Sequence, residues 1–138
     1  MRKRPDFTCK CSNPFASCTE EHEIALHVEC KLLGNPTSKT WILNENYVTR
    51  GIKRFDCLTH EYGKRASSGM MIGYIISMEP ELIVKEVNKY QQIQSLPSPS
   101  LSFQFDDQPV FKENQSLDRK NVKPKSFQLI HLWVDLRS

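Results

Sequence analysis

The sequence predicts an α+β domain in which an antiparallel or mixed β-sheet of about five strands is covered by one main helix. Three observations carry that expectation. Apolar residues recur at every second position through Ile24, Leu26, Val28, Cys30 and Leu32, the period of a strand with one buried face. Residues 80–96 repeat their apolar side chains at helical spacing, and Phe127–Leu136 closes the chain with another apolar alternation.

In chain order, residues 1–21 form a polar segment with Pro5 and Pro14 that holds Cys9, Cys11 and Cys18. Residues 22–96 form the β-rich core plus helix. Its first strand carries the alternation above and ends at the turn signal Gly34-Asn35-Pro36. Trp41, Leu43, Tyr47 and Val48 mark a second strand ending near Gly51. Residues 52–62, rich in Ile, Phe, Leu and Tyr, mark a third. Gly63–Gly69 suits a hairpin loop, and Met70–Met78 is nearly continuous apolar chain, as expected of a strand buried on both faces. Pro80 fits a first helical turn, where its missing N–H costs nothing. Ile83, Val87 and Tyr90, with Ile93 nearby, give the helix one docking face, and Leu96-Pro97 ends it. Residues 97–126, with four prolines among Ser, Gln and charges, read as a long loop that touches the body through Phe103/Phe105 and Val110/Phe111. Residues 127–138 supply the last strand of the same domain.

At 138 residues the chain has the size of one domain. A hydrophobic share of 38% and a mean hydropathy of −0.52 place part of its length outside the core. The net charge of +3, from 19 Lys and Arg against 16 Asp and Glu, neither demands nor excludes a nucleic acid. No stretch approaches the roughly 20 apolar residues that span a bilayer. The start Met1-Arg2-Lys3-Arg4 is followed by Pro5 and Asp6 rather than an apolar run, so a cytoplasmic protein without membrane contact is expected. Five cysteines, an odd number, agree with a reducing compartment.

The pointed chemical feature is the spacing Cys9-x-Cys11-x6-Cys18-x3-His22. Thiolates and imidazole suit zinc, and four such groups close a tetrahedral shell, so the expectation is a structural ion that staples the N-terminal segment. Strand parity puts His27 and Cys30 on opposite faces, which removes both from one shell. Cys30 then reads as a small buried hydrophobe, and Cys57 is a reserve ligand.

Basic residues cluster at Arg50, Lys53, Arg54, Lys64 and Arg65, with Trp41, Tyr47, Phe55 and Tyr62 interleaved. Cations beside aromatic faces neutralise phosphates and stack bases, so Arg50, Lys53, Arg54, Tyr62, Lys64 and Arg65 are the candidate nucleic-acid contacts. A second basic group, Arg119, Lys120, Lys123 and Lys125, lies in the long loop. Phe103, Phe105 and Phe111 are candidate partner anchors, against the alternative that they pack on their own sheet.

Motifs for catalysis are missing. The chain has no P-loop, Gly-rich dinucleotide turn, nucleophile elbow or His-Glu-x-x-His. Asp106-Asp107 with Asp118-x-Lys120 has a faint nuclease look, and His131, Trp133 and Asp135 would share one strand face, with His60-Glu61 across from them. The sequence therefore predicts a non-catalytic binding or regulatory protein in contact with nucleic acid or a nucleoprotein complex. A protein-binding inhibitor or adaptor without nucleic-acid contact is the alternative, and a metal-dependent nuclease the second. Partner identity and oligomeric state are not encoded in any local pattern.

Overall fold

The computed structural model describes residues 5–12, 23–96 and 98–138. Its elements are β1 (Phe7–Ser12), β2 (Glu23–Leu33), α1 (Leu43–Thr49), a 3-10 turn (Ile52–Asp56), β3 (Ser68–Ile75), α2 (Pro80–Ile93), β4 (Val110–Asp118) and β5 (Ser126–Asp135). The strands form one mixed five-stranded sheet in the order β1-β2-β3-β5-β4. The outer pairs β1/β2 and β4/β5 are antiparallel, and the inner pairs β2/β3 and β3/β5 are parallel. The fold is thus α+β with a mixed sheet and two helices. Among the described residues no helix is long and apolar enough to cross a membrane.

Several elements differ from expectation. Where a strand through Trp41, Leu43, Tyr47 and Val48 was expected, Leu43–Thr49 is helical: Leu43 and Tyr47, and Asn44 and Val48, are buried at i, i+4 spacing on one face of α1. Its Tyr, Val and Thr favour strands, and tertiary packing overrides that preference. Residues 52–62 also leave the sheet. Ile52 and Phe55, three apart, are the buried pair of the 3-10 turn. The segment before β3 is a crossover rather than a hairpin loop, because β2 and β3 are parallel. The expected long loop contains β4, whose inward positions are Phe111, Glu113, Gln115 and Leu117. Two polar residues in that row hide the alternation. Helix α2 begins at Pro80 as expected, but its last buried position is Gln91, while Ile93 is exposed.

One sheet face carries the core. Met71 and Ile75 of β3, Leu33 of β2 and Phe127, Leu129 and Trp133 of β5 point toward α1, the 3-10 turn and α2, which return Tyr47, Val48, Phe55, Ile83 and Val87. Trp133 is central. Phe103 lies on it with ring centroids 4.2 Å apart, Tyr47 meets it edge to face at 5.8 Å, and Phe105 packs edge to face on Phe111 at 4.9 Å. Phe103 and Phe105 of the loop and Phe111 of β4 thus pack within their own domain, the alternative to their reading as partner anchors. The indole fits because β3 places glycine beside it. A Cβ on Gly73 would come within 2.5 Å of Leu33 Cδ1 and 2.9 Å of Trp133 Cδ1.

The opposite face of β3 (Met70, Ile72, Tyr74) and of β5 (Ile130, Leu132, Val134) is only half-buried. β3 therefore does not show the two covered faces its apolar run predicts.

Gly73→Ala should destabilise the fold by about 1–3 kcal/mol, because both contacting side chains are fully enclosed and cannot yield. Urea unfolding checks this; an unchanged midpoint would show that the Trp133 layer has slack.

Candidate functional site

The loop before α1 brings Trp41 beside the last turn of that helix, where the Arg50 guanidinium stands 4.9 Å from the indole centroid. Trp41 is 45% exposed. Between this pair and β2 lies a cavity of about 270 Å³, to which Lys31, Asn46 and Arg54 also contribute. Lys31 reaches it because Lys31, Glu29 and Leu33 share the helix-side parity of β2. Glu29, almost fully buried, accepts from Lys31 Nζ at 2.8 Å and Arg54 at 2.5 Å. One carboxylate thus holds two of the three cations that line the cavity, and among the described residues none of the carboxylates pairs with Arg50. Asn46 lines the same cavity, and its side-chain nitrogen is buried without a hydrogen-bond partner among the described residues. A cationic, aromatic-walled pocket with a spare amide donor suits an anionic ligand that carries a flat group.

The remaining basic and aromatic candidates divide. Tyr62 is 1% exposed and cannot offer a ring to a base; burial, then Glu29, raises its hydroxyl to about 12. Tyr47 and Phe55 are likewise enclosed, so Trp41 is the available aromatic of that group. Arg54 is committed to Glu29, Lys53 bonds Gln94 Oε1 at 3.2 Å, and Lys64 pairs with Glu61 in an exposed bridge. Arg65 is exposed, with its backbone N–H donated to the Lys123 carbonyl. Lys31 and Asn46 escaped sequence reading, since only the parity of β2 and the helicity of 43–49 direct them here.

In the second basic group, Arg119 is buried. Its guanidinium donates to the carbonyls of Phe55, Tyr62, Gly63 and Pro124 and lies 3.9 Å from the Phe127 ring centroid. Burial lowers it to about 10 against the pull of Asp56. The residue is a clamp between loops rather than a phosphate contact. Asp56 in turn accepts from the backbone N–H groups of Lys120 and Asn121, and Lys125 makes an exposed pair with Asp118.

The histidine that sequence placed on a sheet surface is fully enclosed. The Trp133 indole N–H donates to Tyr47 Oη at 2.9 Å, and the Tyr47 hydroxyl donates to His131 Nδ1 at 2.7 Å. His131 Nε2–H then donates to Gln115 Oε1 at 2.8 Å, and the Gln115 amide donates to Gln91 Oε1 and the Pro99 carbonyl, both at 2.7 Å. Each member has a consistent direction, which fixes the neutral Nε2–H tautomer. Burial lowers His131 to about 3. With both ring nitrogens bonded to Tyr47 and Gln115 and the ring fully buried, it is a framework residue. Asp135 faces Arg137 instead, whose hydrogen bonds hold its carboxyl below the usual range against a smaller effect of burial.

Asp106 and Asp107 line an acidic cleft of about 450 Å³ with Glu79, Asp135 and Arg137. Asp118 stands at the other end of the nine-residue β4, about 30 Å away at strand spacing, so the carboxylates of the nuclease reading do not gather.

Of the expected zinc ligands, Cys18 and His22 lie outside the described residues. Cys9 is an exposed free thiol on β1, and the Cys11 backbone pairs with Ile24. His27 faces the helix side and accepts the Gly63 N–H at 2.9 Å, while Cys30 faces the other side, as parity required. Cys30 is half-buried rather than buried, and its N–H donates to Asp6. Cys57 Sγ lies 3.4 Å from His60 Nδ1. Partial burial opposes ionisation of Cys57, but the N–H groups of Thr59 and His60 outweigh it and lower the thiol. Among the described residues no three His, Cys, Asp or Glu side chains gather for a metal.

Comparisons with protein-family models, curated proteins and solved structures returned no match.

His131 makes stability depend on pH. Its folded value of about 3 lies below the ordinary 6.5, so its contribution is fully present above about pH 6.5 and is lost as pH falls toward 3. The expected slope is up to about 1.4 kcal/mol per pH unit. Urea unfolding from pH 7 to 4 should show this part of the slope in the wild type and not in His131→Gln; parallel curves would refute it.

Proposed function

We propose that this chain is a non-catalytic binding protein that contacts nucleic acid, alone or within a nucleoprotein complex, through the Trp41–Arg50 pocket. The supporting observation is an exposed indole with a guanidinium on its face, beside two further cations and an unpartnered amide donor. An indole takes a base by stacking irrespective of its sequence, and the Arg50 guanidinium takes a neighbouring phosphate. The basic residues of the 3-10 turn and the following loop, Lys53, Lys64 and Arg65, extend the positive surface away from the pocket. In this reading the protein is regulatory and acts by occupying its partner.

Trp41 is one of two tryptophans, and the other, Trp133, is enclosed, so emission changes on titration report on the pocket. Single-stranded oligonucleotides should quench it, with affinity falling between about 50 and 200 mM salt. Trp41→Ala should weaken binding about 5- to 100-fold, the worth of one stacked base. Arg50→Ala should flatten the salt slope by about 0.7 for one lost phosphate contact. Tyr62→Phe should change neither. Salt-independent binding, or none up to about 100 µM protein, would favour the protein-binding inhibitor or adaptor.

The zinc expectation for Cys9, Cys11, Cys18 and His22 belongs to the same proposal as a structural element of the N-terminal segment. Protein purified without chelator should carry about one equivalent, lost in Cys9→Ser/Cys11→Ser. A content below about a tenth of an equivalent ends that part of the reading and leaves the pocket untouched.

A further inference from the structure

Free thiols stand on Cys9, Cys30 and Cys57 among the described residues, and their surroundings differ. The Cys30 thiol is pushed up by burial and by the carboxylates of Asp6 and Glu29. Cys57 has the reverse setting. It follows the 3-10 turn in an extended conformation, and the chain then curls back on it. The N–H groups of His60 and Glu61 both donate to the Cys57 carbonyl, at 3.2 and 2.8 Å. That turn carries the His60 imidazole over its own start, so Nδ1 lies 3.4 Å from Cys57 Sγ, within reach of the thiol proton. The enclosed Tyr62 ring meets the His60 ring edge-on at 5.5 Å and holds its plane.

Against the cost of partial burial, the sulfur has the N–H groups of Thr59 and His60, the Thr59 hydroxyl and the Lys53 ammonium on its side. The two neighbouring carboxylates are engaged elsewhere: Asp56 accepts from the backbone of Lys120 and Asn121, and Glu61 pairs with Lys64. Cys57 is half-buried and the adjoining Leu58 is 68% exposed, so the turn lies at the surface. A reachable thiol set between a base, several donors and a cation has the surroundings of a reactive cysteine rather than of an inert core one.

We propose that Cys57 and His60 form a thiol–disulfide exchange site for a small acidic disulfide. His60 Nδ1 takes the thiol proton. The thiolate attacks one sulfur of the incoming disulfide, forming a new S–S bond to Cys57 as the old S–S bond breaks. The departing thiolate takes the proton from His60 and leaves as a free thiol. Cys57 is thereby oxidised and the small disulfide reduced; the mixed disulfide left on Cys57 is reversed by excess small thiol. The acidic preference follows from Lys53, whose exposed ammonium is the charge acting on the sulfur.

Oxidised glutathione, which carries carboxylates, is the probe for the full chain, with adducts assigned by peptide mass mapping. Cys57 should react at least about 10-fold faster than Cys30 at about pH 7. His60→Gln should slow Cys57 about 10-fold there and less than about 2-fold near pH 9, where a thiol ionises without a base. That recovery separates loss of the base from loss of structure. Should His60→Gln fail to fold, Lys53→Gln, at an exposed position, should slow oxidised glutathione about 3-fold and leave cystamine, a cationic disulfide, unslowed. Equal slowing of both disulfides would overturn the acidic preference. Cys57 reacting no faster than Cys30 would overturn the proposal, as would a His60→Gln rate unchanged at neutral pH or equally reduced at both pH values.

Discussion

The neutral His131 is the joint on which the helix-side half of the molecule depends. Its two nitrogens join α1, through Tyr47, to β4, through Gln115; Gln115 passes the chain on to Gln91 of α2 and to the Pro99 carbonyl. From there Ser98 donates to Gln91, and Asn88 exchanges two hydrogen bonds with Leu101. A buried polar group without a partner costs about 1–3 kcal/mol, so such a relay is stabilising only when complete. Completion here requires five elements at once: two strands, both helices and the loop after α2. The relay gives the apolar layer a unique arrangement, because sliding any element by one residue breaks a hydrogen bond as well as a contact.

Arg119 does for the loops what His131 does for the layers. A buried guanidinium without a carboxylate in its shell is costly unless its donors are occupied, and here they meet four carbonyls while the plane lies on Phe127. This holds residues 55–63 against 119–124 at one end of the sheet. The arrangement shows why counting basic residues misdirects: a cation that grips carbonyls is lost to phosphates. Of the clustered arginines and lysines, Arg119 and Arg54 are consumed by the fold, whereas Arg50 stays beside the exposed Trp41.

The pocket is a consequence of topology. β2 places Lys31 and Glu29 on its helix side, and the chain then turns through residues 34–42 to set α1 across the same strand, so the last turn of α1 delivers Arg50 next to Trp41. Glu29 absorbs the mutual repulsion of Lys31 and Arg54, which lets three cations share one cavity. The sheet's other face has the opposite character, with apolar side chains at the outward positions of β3 and β5. One molecule therefore presents two chemically distinct surfaces, separated by the sheet itself.

What the sequence by itself determined lies where neighbouring residues carry the signal. The alternation in β2 and β5, the start of α2 at Pro80 and the opposition of His27 and Cys30 all follow from chain periodicity, which needs no distant partner. Tertiary structure decided the rest. β4 was hidden because Glu113 and Gln115 occupy inward positions, Gln115 being tenable there through its bond to a buried histidine on the next strand. α1 was hidden because its residues favour a strand until Leu43, Tyr47 and Val48 find a core to pack on. Which cation stays free and which aromatic stays exposed depend on pairings between residues tens of positions apart, such as Arg54 with Glu29 and Arg119 with Phe55. Such pairings exist only once the chain has closed on itself, so local pattern supplies the elements and their faces while closure selects the site.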